Sequence, residues 1–203
     1  SSSSSSTGDN WEGGVDDQVY GVPLWKQEDL GGGSSTTIGW GRDSWDEWDG
    51  CTPVAASMCI GYHEGLSEYD SEEREALIDR LHITMNTDYG GSTWWNNIPQ
   101  GIMDYSHGTH SYEAGNFGYN IRGIVQDAVS KDRPLVMSAA GNSEWDDHSV
   151  TVVGWRKESC GTYCQNTYYK VHNTYGHRIG NGSPDMLVHG DWDDIVLTRM
   201  IKE

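Results

Sequence analysis

Apolar positions in this chain follow two periods, one helical and one extended, with the change near Pro134. Across 51–62 no charged side chain occurs, and Val54, Ala55, Met58, Cys59 and Tyr62 recur at helical spacing with Ala56, Ser57 and Gly61 on the remaining sides. A helix apolar nearly all round is buried in the middle of a domain. Pro53 has the fixed φ of a first-turn residue and Gly65 offers a stop, so the pattern predicts a central buried helix between them.

Asp70, with Glu73 three residues on, reads as a capping box for a second helix over 71–84, whose apolar face is Ala76, Leu77, Ile78, Leu81 and Met85. Gly90 and Gly91 break the chain. A third short helix is predicted over 94–105 and a fourth over 120–130, carrying Ile121, Ile124, Val125 and Val129 on one side. Beyond Pro134 the pattern predicts strands at 135–138, 149–155, 167–172 and 195–201. Residues 19–27 form an extended, partly apolar piece, with Pro23 favouring an edge position. Helices first and an antiparallel sheet afterwards predict an α+β domain over 18–203, following a flexible Ser-rich tether at 1–17.

Charge narrows the partners. The chain has 203 residues, enough for one domain with a real core, and a net charge of −18. That excess argues against nucleic acid, whose phosphates need the opposite sign, and against a polybasic membrane patch. No apolar run reaches the length of a membrane span. Ten Trp and eleven Tyr supply the buried area that an acidic disordered chain lacks. Acids spread along the whole chain, with lysine scarce, match the acidic skin of proteins from salt-loving organisms; an ordinary acidic secreted protein is the alternative. The start at Ser1, without Met, predicts a mature or trimmed end. Cys160 and Cys164, in a polar loop between two predicted strands, are expected to form a local disulfide in an oxidising, extracytoplasmic setting.

Cys51 stands at the mouth of the central helix, where orphan N–H groups and the macrodipole favour a thiolate. Cys59, between Met58 and Ile60, reads as a packing residue. His148 opens one predicted strand and Asn173 follows the next, so pairing through a 156–166 hairpin brings both to one end. There an imidazole takes the Cys51 proton and an Asn carboxamide orients the ring; a surface histidine and a turn asparagine are the plainer readings. Trp45, Trp48, Trp94 and Trp95 either line a substrate cleft or build the core. His107 and His110 near Asp104, and the acidic groups at 43–49 and 191–194, lack the spacing of metal loops, so neither metal nor cofactor is expected.

Three segments carry a family resemblance. Val22-Pro-Leu-Trp-Lys-Gln27, Gly50-Cys-Thr-Pro-Val-Ala-Ala-Ser-Met, and the pair Asp147-His-Ser-Val-Thr-Val-Val-Gly-Trp and Val171-His-Asn-Thr-Tyr-Gly resemble papain-like cysteine peptidases of the bacteriocin-processing-peptidase-like type. The resemblance implies a papain-like fold, Cys51 as nucleophile, His148 as general base and Asn173 as orienting residue. It also implies Gln27 as the oxyanion-hole amide, by motif. Two departures stand out: Thr52 occupies the place of the usual Gly, and Trp45 stands six residues before the nucleophile, where that Gln often lies. The implied function is a thiol peptidase acting on peptide or isopeptide bonds of a peptide or protein substrate. A catalytically silent domain used for surface binding or assembly is the alternative, and acyl transfer on the same triad is a third reading.

The acidic skin makes a measurable prediction. Carboxylate repulsion is screened to a range of about 3 Å at 1 M salt. The melting temperature is expected to rise from low to molar salt; a flat or falling trend leaves an ordinary acidic protein.

Overall fold

The computed structural model describes residues 17–27, 49–88, 90–105, 111–142, 146–162, 164–175, 178–179, 187–188 and 194–203; at 71–72, 140–142, 146, 158–161, 164–166, 178–179, 187–188 and 194 it describes the main chain alone. The apolar run becomes helix α1 (Cys51–Glu64), in which residues 52–61 are all buried. Its end is the predicted one: Gly65 is left-handed at φ 75°, and the N–H of Leu66 reaches back to the Gly61 carbonyl at 2.8 Å.

α2 (Ser71–Thr84) begins and ends where the pattern places it. Its capping box does not form. Asp70 turns backward instead, its Oδ2 accepting from the Ser67 N–H at 2.6 Å and the Ser67 hydroxyl at 2.7 Å. α3 (Asn97–Tyr105) starts three residues later than expected, because Trp94 and Trp95 sit in a turn whose carbonyls accept from the Asn97 and Ile98 N–H groups. α4 (Ile121–Val129) occupies the fourth predicted position.

The strands are β1 (Asp17–Gln18), β2 (Tyr112–Phe117), β3 (Leu135–Asn142), β4 (Asp146–Gly161), β5 (Cys164–His172), β6 (Arg178–Ile179), β7 (Leu187–Val188) and β8 (Asp194–Lys202). They form one antiparallel sheet in the order β2-β8-β3-β4-β5-β6, with β1 on β4 and β7 on β5. Strand β2 has no counterpart in the pattern read from sequence. It lies at the sheet edge, mostly half-exposed, so one covered face left no clear alternation. β4 is also far longer than expected, since its outer half continues with β5 as a ribbon to Gly161 opposite Cys164. The Cys160 and Cys164 side chains, and the expected disulfide, lie outside the described ones, as do residues 1–16 of the expected tether.

β4 is covered on both faces. Ser149 and Thr151 point at α1, with the Thr151 hydroxyl on the Ala55 carbonyl at 2.8 Å. Val150 and Val152 point the other way and are equally buried. The N-terminal strap then takes over the edge of β4 that β3 leaves free. β3 pairs as far as Val152, and from there Val19 N–H meets the Val153 carbonyl at 2.7 Å while Gln18 and Asp17 pair with Gly154 and Trp155. Trp25, fully buried, wedges this strap onto α1, where a Cβ added at Gly61 would come within 2.6 Å of its ring.

Gly50 is the tightest of these joints. It enters α1 at φ 81°, and a Cβ there would lie 2.4 Å from the Gly91 carbonyl oxygen. Both the positive φ and a main-chain collision oppose any side chain. Gly50→Ala is expected to lower stability by about 2 kcal/mol or more in urea unfolding; an unchanged midpoint would mean that this loop yields freely.

Candidate active site

Gly50 delivers Cys51 as the first residue of α1, with the unpaired N–H groups of the first turn around it. β4 brings His148 to the same place, and the Cys51 thiol is hydrogen-bonded to its imidazole. On the far side, His148 Nε2 lies 3.0 Å from the Asn173 main-chain carbonyl. A carbonyl only accepts, so Nε2 carries the hydrogen and Nδ1 faces the thiol as a base. Cys51, His148 and Asn173 thus come together as the sequence implied. One detail differs: the contact on the ring is made by the Asn173 main-chain carbonyl, while its side-chain Oδ1 accepts the Tyr175 N–H at 3.0 Å.

The turn after β5 sets this geometry. Thr174 is fully buried at φ 62°, a conformation that a β-branched residue adopts only under constraint. Its carbonyl accepts the Gln27 N–H at 2.7 Å and its hydroxyl lies 3.3 Å from His148 Nε2. Tyr175 then stacks on the imidazole, ring centroids 5.0 Å apart and planes parallel. Thr174 and Tyr175 were not singled out from sequence, although Tyr175 fills the Trp position of the Asp/Asn-x-Trp-Gly element. Lys26 bridges Tyr175, so the strap places buried Gln27 in the wall of the cleft that holds Cys51 and His148.

The cleft has a volume of about 620 Å³. Its opposite wall is the turn after α2, tied by Asp88, whose Oδ1 accepts the Gly90 and Ser92 N–H groups at 2.9 and 2.8 Å. Trp94 and Trp95 both line the cleft; Trp94 is 64% exposed and serves as wall, while Trp95 is half-buried and also packs against the core. Trp45, Trp48, His107 and His110 lie outside the described residues. Cys59 is fully buried and its thiol is pushed far up by burial, as a packing residue should be.

Burial also pushes the Cys51 thiol up, but the hydrogen bond and charge of His148, the Ser149 N–H and the Thr52 hydroxyl outweigh it and leave the group below its ordinary value. His148 moves the opposite way. Burial disfavours its charged form, yet the Cys51 contact and the Asn173 carbonyl raise it. Both shifts act in favour of a thiolate–imidazolium pair. Among the described residues, Asp49, Glu75 and Asp79 offer ligand oxygens within 4.8 Å of one another. Arg74 is paired with its α2 neighbour Glu75 there.

A helix-mouth thiol paired with an imidazole at the end of an antiparallel sheet defines a papain-like cysteine peptidase. The chain belongs to the Peptidase_C39-like family, whose model matches residues 19–184. Its fold is similar to that of the active wild-type interpain A cysteine protease of Prevotella intermedia, with 12% sequence identity, a TM-score of 0.50, and 91% of this chain and 93% of that one covered. No curated protein matches the sequence. Among the described residues no helix is long and apolar enough to cross a membrane.

The ion pair predicts a pH signature. Iodoacetamide alkylation of Cys51 should rise below the ordinary thiol value of 9.0, because the thiol is lowered. His148→Gln removes the largest compensation and leaves the burial, so the rise should move above that value. Coincident profiles would mean that His148 does not hold the thiolate.

Proposed function

We propose that the protein hydrolyses peptide or isopeptide bonds through an acyl-enzyme on Cys51. The observation that carries this reading is the Cys51–His148 contact in a cleft walled by Gln27. His148 Nδ1 takes the thiol proton, and the thiolate attacks the scissile carbonyl. The carbonyl oxygen gains charge beside the Cys51 main-chain N–H and the Gln27 side-chain amide. Imidazolium then protonates the leaving amine, and water, deprotonated by the same ring, releases the acid. Asn173 and Thr174 keep the ring in the productive tautomer, and Tyr175 covers its face. Thr52, in place of the usual Gly, is buried with its hydroxyl on Ser149 at 2.8 Å. The Cys160–Cys164 spacing across the hairpin end supports an extracytoplasmic setting for this activity.

Incubation with a diverse peptide library, read by mass spectrometry, tests the proposal. Wild-type protein should yield discrete products and Cys51→Ala none. Gln27→Ala should lower kcat/KM by roughly 10²-fold at unchanged melting temperature, the loss expected for one oxyanion donor. Full activity in Gln27→Ala would remove that residue from the mechanism. Absence of both peptide cleavage and acylation of Cys51 by an activated peptide ester would overturn the peptidase reading.

A further inference from the structure

Three hydroxyls lie in line behind the nucleophile. Ser138 and Ser149 are register partners on β3 and β4, so their side chains share one face of the sheet, and their oxygens are 2.8 Å apart. Ser149 Oγ is 2.8 Å from Thr52 Oγ1, and Thr52 Oγ1 is 4.0 Å from Cys51 Sγ. Thr52 and Ser149 are each only 3% exposed.

We propose that Ser138, Ser149 and Thr52 form a directed hydrogen-bond chain ending on the Cys51 sulfur, with Thr52 as the positioning residue that holds the nucleophile as a thiolate. The inference rests on Cys51 being the nucleophile of the proposed reaction. A hydroxyl has one donor and two acceptor sites, whereas a thiolate only accepts. Once the sulfur is negative, the Thr52 O–H turns to it and the Thr52 oxygen is left to accept from Ser149. Ser149 then accepts from Ser138, so one charge orients all three bonds the same way. Bonds oriented head to tail polarise one another, and in this buried seam each is stronger than in water. The Ser149 main-chain N–H adds a second donor to the same sulfur. Thr52, which departs from the usual Gly, thereby becomes part of the apparatus that keeps the thiol ionised.

The other titratable groups near the thiol are His148 and Asp147 of β4, Asp88 of the turn after α2, Tyr175 after β5, and Asp49 before α1. None of them is altered by a hydroxyl deletion, so a shift between variants isolates the chain. The probe is iodoacetamide, with the alkylation rate of Cys51 followed against pH. Thr52→Val keeps the branched shape and removes the donor. It should move the rise upward by about one pH unit, about tenfold less thiolate on the acid side. Ser149→Ala should move it the same way by less, and Thr52→Ser should restore the wild-type profile. The Thr52→Val, Ser149→Ala double variant should shift no further than Thr52→Val alone, because both break one chain.

A Thr52→Val profile superimposed on wild type, with only the melting temperature lowered, would overturn the proposal and leave a packing seam. If Thr52→Val fails to fold, Ser149→Ala and Ser138→Ala decide on the same readout, where unshifted profiles overturn it. Alkylation requires no peptide cleavage. An inactive enzyme with shifted profiles would therefore fail the peptidase reading and keep the chain, and an active enzyme with unshifted profiles would do the reverse.

Discussion

Everything at the site depends on how closely the mouth of α1 approaches the start of β4. A thiol and an imidazole form an ion pair only within hydrogen-bond reach, and neither side chain is long enough to cover a poorly docked helix. α1 is therefore held from several directions. Thr151 bonds its main chain from the sheet, Trp25 fits against Gly61, and His82 of α2 lies 3.2 Å from the Asp49 carbonyl just before the helix. Gly50 and Gly91 allow main chain to touch main chain at the entrance. The apolar surface of α1 fixes its burial, but these contacts fix its position along the sheet to within the tolerance that proton transfer requires.

The second constraint is the turn that follows β5. Thr174 is held left-handed, which costs on the order of 1–3 kcal/mol for a residue without glycine's freedom. That conformation lets three consecutive residues serve the same imidazole: Asn173 through its carbonyl, Thr174 through its hydroxyl and Tyr175 through its ring. The Thr174 carbonyl also accepts the Gln27 main-chain N–H, so one turn fixes both the ring and the strap at Gln27. Strain here has a structural counterpart in strap, sheet and ring, each of which would lose a partner if the turn relaxed. The electrostatics follow from this packing. Burial opposes charge on both Cys51 and His148, and their mutual contact, with the surrounding donors and the Asn173 carbonyl, outweighs it and shifts both groups toward the charged pair.

The N-terminal strap shows how residues distant in sequence become one wall. Gln27 stands 24 positions before Cys51, and Trp45 occupies the position where an amide often lies in relatives of this type. Pairing brings the strap to the cleft. β1 lies on β4, His172 meets the Pro23 carbonyl at 3.0 Å, and Lys26 bridges Tyr175. Such pairing fixes main-chain register, and register decides which side chain faces the cleft.

Local order was legible in the sequence because it rests on local physics. The uncharged run of α1, its stop at Gly65, the face of α2 and the change of period after Pro134 all come from spacing within a few residues, and all appear in the fold. Cys51, His148 and Asn173 were legible as a set because helix mouth and strand ends are places that topology brings together. The backward turn of Asp70 is local too, but two capping patterns compete there and the nearer Ser67 donors win. What local pattern could not contain was long-range: edge strand β2, with little burial to impose a period, and the choice of carbonyl over carboxamide at His148. The alignment of Ser138, Ser149 and Thr52 likewise exists only once β3, β4 and α1 are docked. The sequence by itself determined which segments coil, which extend and which residues can do chemistry. Tertiary structure alone decided which atoms of those residues meet, because hydrogen bonds act over about 3 Å and that distance is set by packing between elements far apart in the chain.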